Sequence, residues 1–305
     1  MLGILVPILA FILIMLVSGN NLPACTGSII SSNILSKKWG ITLAIIGYIS
    51  GLFIEGSLLG RGVHSLMPFT SNELVIIALL VSIIIFLIAH KLRVPQSLSI
   101  TFAFAILGIT FAIGKQPNII FTLTMIIFWI IALLIAIPFS IFLMNKIKKH
   151  TNKRNVWNSI HIIKISLIIV SFFVAFTLGA NTIGFIYYAL PSSIYNFVAV
   201  IIAIIVGGIL FSSGELKRIG NEIIPMRYIN SLTTQLVSVI LVEGATIFGI
   251  PISNTQMFIA SVYGTGMGYK DRFIKKKPLM IIVSTWFITA LVSFVLAFSL
   301  VYLLV

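Results

Sequence analysis

The sequence predicts an all-α polytopic membrane protein with about 10–12 transmembrane segments, some broken or re-entrant, arranged as two inverted repeats. Three observations lead there. Apolar residues make up 59% of the chain and charged residues only 9%, against about 25% charged in soluble domains. Hydrophobic runs recur at the length that crosses a hydrocarbon core about 30 Å thick. Short polar motifs recur in both halves of the chain, in the same order.

The spans fall near residues 2–18, 41–59, 74–89, 98–114, 119–144, 160–178, 194–213, 229–249, 256–268 and 279–304. The N-terminal run has no Lys or Arg before it, so it lacks the basic region of a signal peptide and reads as a retained first span. The chain carries 20 Lys/Arg against 6 Asp/Glu, for a net charge of +14. Those bases sit in short loops between apolar runs, which favours positive-inside topology over a nucleic-acid surface. With the N-terminus outside, 18 of the 20 basic residues fall on the cytoplasmic side, and only Arg61 and Lys115 outside. The expected location is the plasma membrane. The single cysteine, Cys25, excludes an intrachain disulfide framework.

The basic stretch at 145–159 reads as a cytoplasmic linker between a first repeat, 1–144, and a second, 160–305. "SGNN" (18–21) is answered by "LGAN" (178–181), and "GSLLGRGVHSLMP" (56–68) by "GELKRIGNEIIP" (214–225). "VPQSLSI" (94–100) is answered by "IPISNTQ" (250–256), with Pro95, Ser97 and Ser99 matching Pro251, Ser253 and Thr255 at an offset of 156 residues. Each half holds an odd number of spans, so the second enters the membrane upside down. A lone Gly or Pro tunes helix packing; three paired interruptions are the mark of a secondary transporter with a mid-membrane site.

The interruptions are neutral and rich in donors. Proline suits the first turn of a helix, and Ser or Thr beside it then points at the open end. Unpaired backbone at membrane depth is tolerated where it lines a cavity or meets a ligand. Helix N-termini with Ser, Thr, Asn and Gln around them favour an anion. Two such tips facing one another suit a tetrahedral oxyanion without a buried Lys or Arg. Among the acids, Glu55 and Glu243 sit inside apolar sequence, where an ionisable group is costly and marks function by default. Each is a candidate for taking up a coupling proton. The four histidines share no ligand spacing, and no zinc pattern, nucleophile elbow or phosphate-binding glycine loop is present. The sequence therefore does not read as an enzyme, and it calls for no metal or cofactor.

The segment 207–268, with its order of Gly, Pro, Gln and "GIPISNTQ", resembles the inorganic phosphate transporter (PiT) family, whose members are sodium– or proton–phosphate symporters; some bacterial relatives carry sulfate. The first half repeats the pattern weakly. The resemblance implies a homodimer with inorganic phosphate or a similar oxyanion as cargo. By position, substrate contacts would come from Asn21, Asn181, Ser97, Ser99, Ser253, Asn254, Thr255 and Gln235. The family's G-A-N-D-x-x-N motif is altered here, with Leu22 and Thr182 at the aspartate and Cys25 and Phe185 at the later asparagine. Leu22 cannot ligate sodium, which takes oxygen donors. Coupling-ion candidates are thus Asn20, Thr182, Glu55 and Glu243, with proton and sodium both open. The expected function is an ion-coupled phosphate permease working by alternating access. The alternatives are a permease for sulfate or another oxyanion, and a scaffold subunit that has lost transport along with the family acids.

Overall fold

A computed structural model describes residues 2–92, 96–151, 156–210, 227–269 and 276–304. The segment 214–225, with Glu215, Arg218 and Glu222, lies outside the described residues, as do Pro95, the basic residues at 152–155 and those at 270–275.

The opening apolar run does not stop near residue 18. It continues as one 30-residue helix, α1 (Leu2–Ser31), through the whole of "SGNNLPACTGSIIS". Small polar side chains inside it are absorbed by the helix itself. Ser18 Oγ donates to the Ile14 carbonyl at 2.7 Å, Thr26 Oγ1 to Leu22 at 3.3 Å, and Cys25 Sγ to Asn21 at 3.5 Å. Such back-bonding to the preceding turn lets Ser and Thr sit at membrane depth without opening the backbone. The matching motif of the second half behaves differently. Between α7 (Val156–Thr177) and α8 (Gly184–Ala189), the residues Leu178–Ile183 form a single π-helical turn. The chain stays helical there but widens, a local departure often found at functional positions.

The other helices are α2 (Lys37–Ile54), α3 (Leu58–Leu66), α4 (Asn72–Leu92), α5 (Leu98–Ala112), α6 (Ile119–Thr151), α9 (Ile194–Leu210), α10 (Tyr228–Ile247), α11 (Asn254–Tyr269) and α12 (Lys276–Leu304). Among the described residues every regular element is helical. Among the described residues six stretches are long and apolar enough to cross a membrane: Gly3–Ser31, Lys37–Ile54, Asn72–Leu92, Ile119–Thr151, Asn158–Ala189 and Ile282–Leu304. The apolar helices Leu98–Ala112 and Ile194–Leu210 are shorter. The basic stretch expected to link the halves is largely helix, since α6 runs on to Thr151 and α7 begins at Val156.

The packing joins the two halves rather than keeping them apart. α1 lies on α9, and α7 lies on α2; α5 packs on α12, and α6 packs on α11. Within each half, α1 touches α4 and α7 touches α10. One of these contacts depends on missing side chains. At Gly51 and Gly179, α2 meets the end of α7 and the π-turn backbone to backbone, and an added Cβ would collide with the Phe176 carbonyl of α7 in the first case and the Tyr48 carbonyl of α2 in the second. Small residues allow this approach, which lipid-embedded helices use in place of a hydrophobic drive. Large side chains such as Ile120, Leu134, Phe287 and Tyr302 point outward, as a lipid-facing belt requires.

Candidate functional site

Two helical hairpins, α4–α5 and α10–α11, bring their tips together. Each tip ends in a serine that caps the next helix. Ser97 Oγ accepts from the Ile100 N–H at 3.4 Å, and Ser253 Oγ accepts from the Gln256 N–H at 3.1 Å. Capping uses an acceptor lone pair, so each hydroxyl proton stays available. The next hydroxyls cross over. Ser99 Oγ donates to the Ile252 carbonyl at 3.0 Å, and Thr255 Oγ1 donates to the Gln96 carbonyl at 3.2 Å. Gln96 also donates from Nε2 to Thr101 Oγ1. All of these residues are buried.

Asn181, in the π-turn, holds the second tip. Its Nδ2 donates to Thr246 Oγ1 at 2.9 Å and to the Ile250 carbonyl at 3.0 Å, while Oδ1 accepts from the Ile252 N–H at 2.9 Å. The widened turn lets one amide reach three groups of a single bend. Trp129 on α6 supports the same bend, donating from Nε1 to the Pro251 carbonyl at 2.6 Å. Gln235 on α10 turns the other way, toward the first motif. Its Nε2 lies 3.2 Å from the Ala24 carbonyl, 2.9 Å from that of Cys25 and 3.1 Å from Ser28 Oγ, and its Oε1 accepts from Ser171 at 3.2 Å. Tyr48 reaches the same stretch of α1, donating to the Ser18 carbonyl at 3.3 Å.

Several polar groups are left over. Asn254 Nδ2 at the second tip and Asn20 Oδ1 on α1 are buried without a partner among the described residues. Asn21 and Thr182, on largely buried side chains, make no side-chain hydrogen bond among the described residues either, but their polar atoms are not fully enclosed. A buried donor or acceptor without a partner costs roughly 1–3 kcal/mol, so such groups are places for a ligand or water.

Glu55, the C-terminal cap of α2, and Glu243, on α10, come together from opposite halves with their carboxyls at hydrogen-bonding reach. Neither meets a basic side chain among the described residues, and the Oε2 of each is buried without a partner. Arg61 passes one turn beyond Glu243, where its Nη2 donates to the Ile247 carbonyl at 3.4 Å.

Thr246, Trp129, Gln96 and Ser171 were not singled out in the sequence. Thr246 and Trp129 did carry a signal, a polar handle inside an apolar span. Ser171 carried the same signal, and Gln96 lay in the quoted "VPQSLSI" motif, but their partners are set by the tertiary meeting of helices.

Among the described residues the protein is an all-helical, multi-pass membrane protein whose two hairpins meet at buried hydroxyls and amides, an architecture suited to a membrane transporter. The profile of the phosphate transporter family matches residues 17–297. The chain belongs to that family, which is one of transporters rather than enzymes. It is 24% identical over 294 residues to phosphate permease MJ0630 of Methanocaldococcus jannaschii, whose assignment is itself provisional; the match spans 95% of this chain and 94% of that protein. It is 27% identical over 143 residues to the sulfate permease CysP of Bacillus subtilis, covering 43% of this chain and 39% of CysP. A solved sodium-dependent phosphate transporter superposes with a TM-score of 0.80 at 16% identity, over 99% of this chain and 98% of that one, and so shares the fold.

Proposed function

We propose that this protein is a secondary transporter that moves inorganic phosphate across the plasma membrane, held between the two hairpin tips. The reading is carried by the reciprocal bonding of those tips, Ser99 to Ile252 and Thr255 to Gln96. The two donors are 156 positions apart, and so are the two acceptors, which is what a pseudo-two-fold relation between halves produces. The exchange of packing partners, α1 on α9 and α7 on α2, supports the same inverted-repeat reading.

In this conformation the substrate candidates divide into two groups. Asn181, Gln235, Ser99 and Thr255 spend their side chains on protein and set the shape of the site. Ser97, Ser253, Asn254 and Asn21 keep donors that an oxyanion would accept. Neutral donors bind a phosphate while leaving it able to depart, since among the described residues no buried Lys or Arg holds it. In alternating access the cross-tip bonds would break and re-form as the repeats move. The Glu55–Glu243 pair is the place for a coupling proton, since two adjacent carboxyls have a natural site for one. Asn20 and Thr182 offer neutral oxygens and supply no charge to replace the family aspartates. The distribution of Lys and Arg favours an outer N-terminus, and the family resemblance favours a homodimer.

Uptake of radiolabelled phosphate into proteoliposomes tests this reading. Saturable uptake driven by an inward proton gradient supports it; none under any proton or sodium gradient would sink it. Sulfate is the second reading, favoured by the partial match to CysP and by donors that recognise four oxygens without selecting charge. Competition between the two anions in the same vesicles decides between them.

A further inference from the structure

At one end of the bundle, α6 and α7 each pack on α10 and leave a cleft of about 410 Å³ between them. Its walls are graded. Lys146, His150, Thr151 and Ser159 line the end nearest the connection between the two helices. Leu143, Ile147, Ile162, Ile163 and Leu232 line the rest, with Ser166. The hydroxyls at the mouth are spent: Thr151 Oγ1 donates to the Lys148 carbonyl at 3.1 Å, and Ser159 Oγ to the Thr151 carbonyl at 3.4 Å. The two basic side chains are not. Lys146 and His150 are both exposed, and neither forms an ion pair or a hydrogen bond among the described residues. The Lys146 ammonium meets only the Phe142 ring of its own helix, 5.9 Å from the centroid, a weak hold at an exposed site. Between Glu73 and Glu215 the chain carries nine Lys and Arg and no Asp or Glu, so no local carboxylate is there to pair with them. At 33 residues α6 is about 50 Å long. A hydrocarbon core is about 30 Å thick, so the basic last turns of α6 stand at the level of the lipid headgroups.

We propose that this cleft holds one anionic phospholipid, its headgroup phosphate between Lys146 and His150 and an acyl chain along Ile147, Ile162 and Ile163. The two parts of the ligand answer the two parts of the cleft. The negative charge supplies the partner that Lys146 lacks, by the attraction that draws basic segments to anionic lipid. The chain covers the apolar wall, which a free phosphate ion could not do. A zwitterionic lipid brings the same chain but no net charge. Entry is sideways from the bilayer, past Ile162, which is itself 45% exposed. The occupant would touch α6 of the first half and α7 of the second, tying the repeats together where the chain passes from one to the other. This holds whichever oxyanion the permease carries.

The test uses the full chain in maltoside micelles, with dioleoylphosphatidylglycerol and dioleoylphosphatidylcholine as probes and the unfolding midpoint as readout. Phosphatidylglycerol should raise the midpoint at a lower mole fraction than phosphatidylcholine. Lys146→Gln should weaken the apparent affinity for phosphatidylglycerol roughly 5-fold, the effect of one base beside an anionic lipid, and His150→Gln should weaken it too. Lys91→Gln, which removes a base from the last turn of α4, should leave it unchanged. Equal responses to the two lipids would overturn the proposal, since the charge would not be read. So would an equal loss in Lys91→Gln, which would mean a general attraction to the basic surface. Inorganic phosphate is the third probe, and its stabilisation should be the same in the wild type and in Lys146→Gln. A phosphate response lost in Lys146→Gln would give the mouth to a free anion instead of a lipid, and overturn the proposal as well.

Discussion

The Ser99 hydroxyl on α5 donates to the Ile252 carbonyl of the other hairpin, 3.0 Å away and from the opposite half of the chain. Thr255 returns the contact to Gln96 at 3.2 Å. These two bonds lock the hairpin tips to each other, and Ser97 and Ser253 cap the helices on either side.

Removing the lock should loosen the tips without unfolding the bundle. Ser99→Ala and Thr255→Ala are each expected to cost about 1 kcal/mol, the net worth of a typical hydrogen bond. The double variant should depart from the sum, since the two bonds close one and the same tip-to-tip contact. Hydrogen exchange localises the effect: amides around 96–101 and 252–257 should exchange faster, with α1 and α9 unchanged. Uniform acceleration through the bundle would mean that these bonds hold up the fold as a whole.

Asn181 carries more. Asn181→Ala leaves the Ile252 N–H, the Ile250 carbonyl and Thr246 without their amide partner, and should cost roughly 1–3 kcal/mol or more. Asn181→Asp keeps the acceptor for Ile252 but sets a carboxylate oxygen against the Ile250 carbonyl. Both variants should abolish phosphate uptake in proteoliposomes. Persistence of wild-type uptake in either would show that the tip needs no amide from the π-turn.

The sequence revealed the membrane character and the paired proline–hydroxyl segments, because both are local signals, but it set the proline in the first helical turn, whereas Pro251 precedes the helix and Ser253 caps it. It marked Asn181 by its motif, yet the partners of that amide lie about 70 residues away and are created only by folding. It misread the first motif as a break. The residues "SGNN" favour caps and loops in isolation, but Ser18, Cys25 and Thr26 bond to their own helix, and α1 passes through. The meeting of Glu55 with Glu243 was invisible too. Each looked like a lone acid in apolar sequence, and nothing local announces that α2 ends beside α10.

Close packing at the π-turn gives a sharp contrast between glycines. Gly179→Ala places a methyl against the Tyr48 carbonyl, where rigid backbone cannot yield. Gly244→Ala adds its methyl to open space on α10 and should gain up to about 1 kcal/mol of helix propensity. Thermal unfolding in detergent should therefore show Gly179→Ala strongly destabilised or unfolded, and Gly244→Ala equal to or above wild type. Similar midpoints for the two would contradict the backbone contact between α2 and the π-turn.

The carboxyl pair makes the last prediction, in pH. Glu55 and Glu243 stay in contact while one proton lies between them; raising the pH strips it and leaves two like charges at close range, which repel. Stability of the wild-type protein should therefore fall once pH is high enough to strip the shared proton, because the folded state holds the two charges together and the unfolded chain separates them. If the pair is also the coupling site, phosphate uptake should decline over the same range. Glu243→Gln supplies an amide N–H in place of the acid proton, so the contact survives with one carboxyl in place of two and no pair of like charges forms. Unfolding midpoints and initial uptake rates, measured across the pH range, should slope less in Glu243→Gln and in Glu55→Gln than in the wild type. Undiminished slopes in both variants would remove the pair from coupling. A reduced slope in stability with an undiminished one in uptake would place the coupling proton elsewhere while leaving the contact intact.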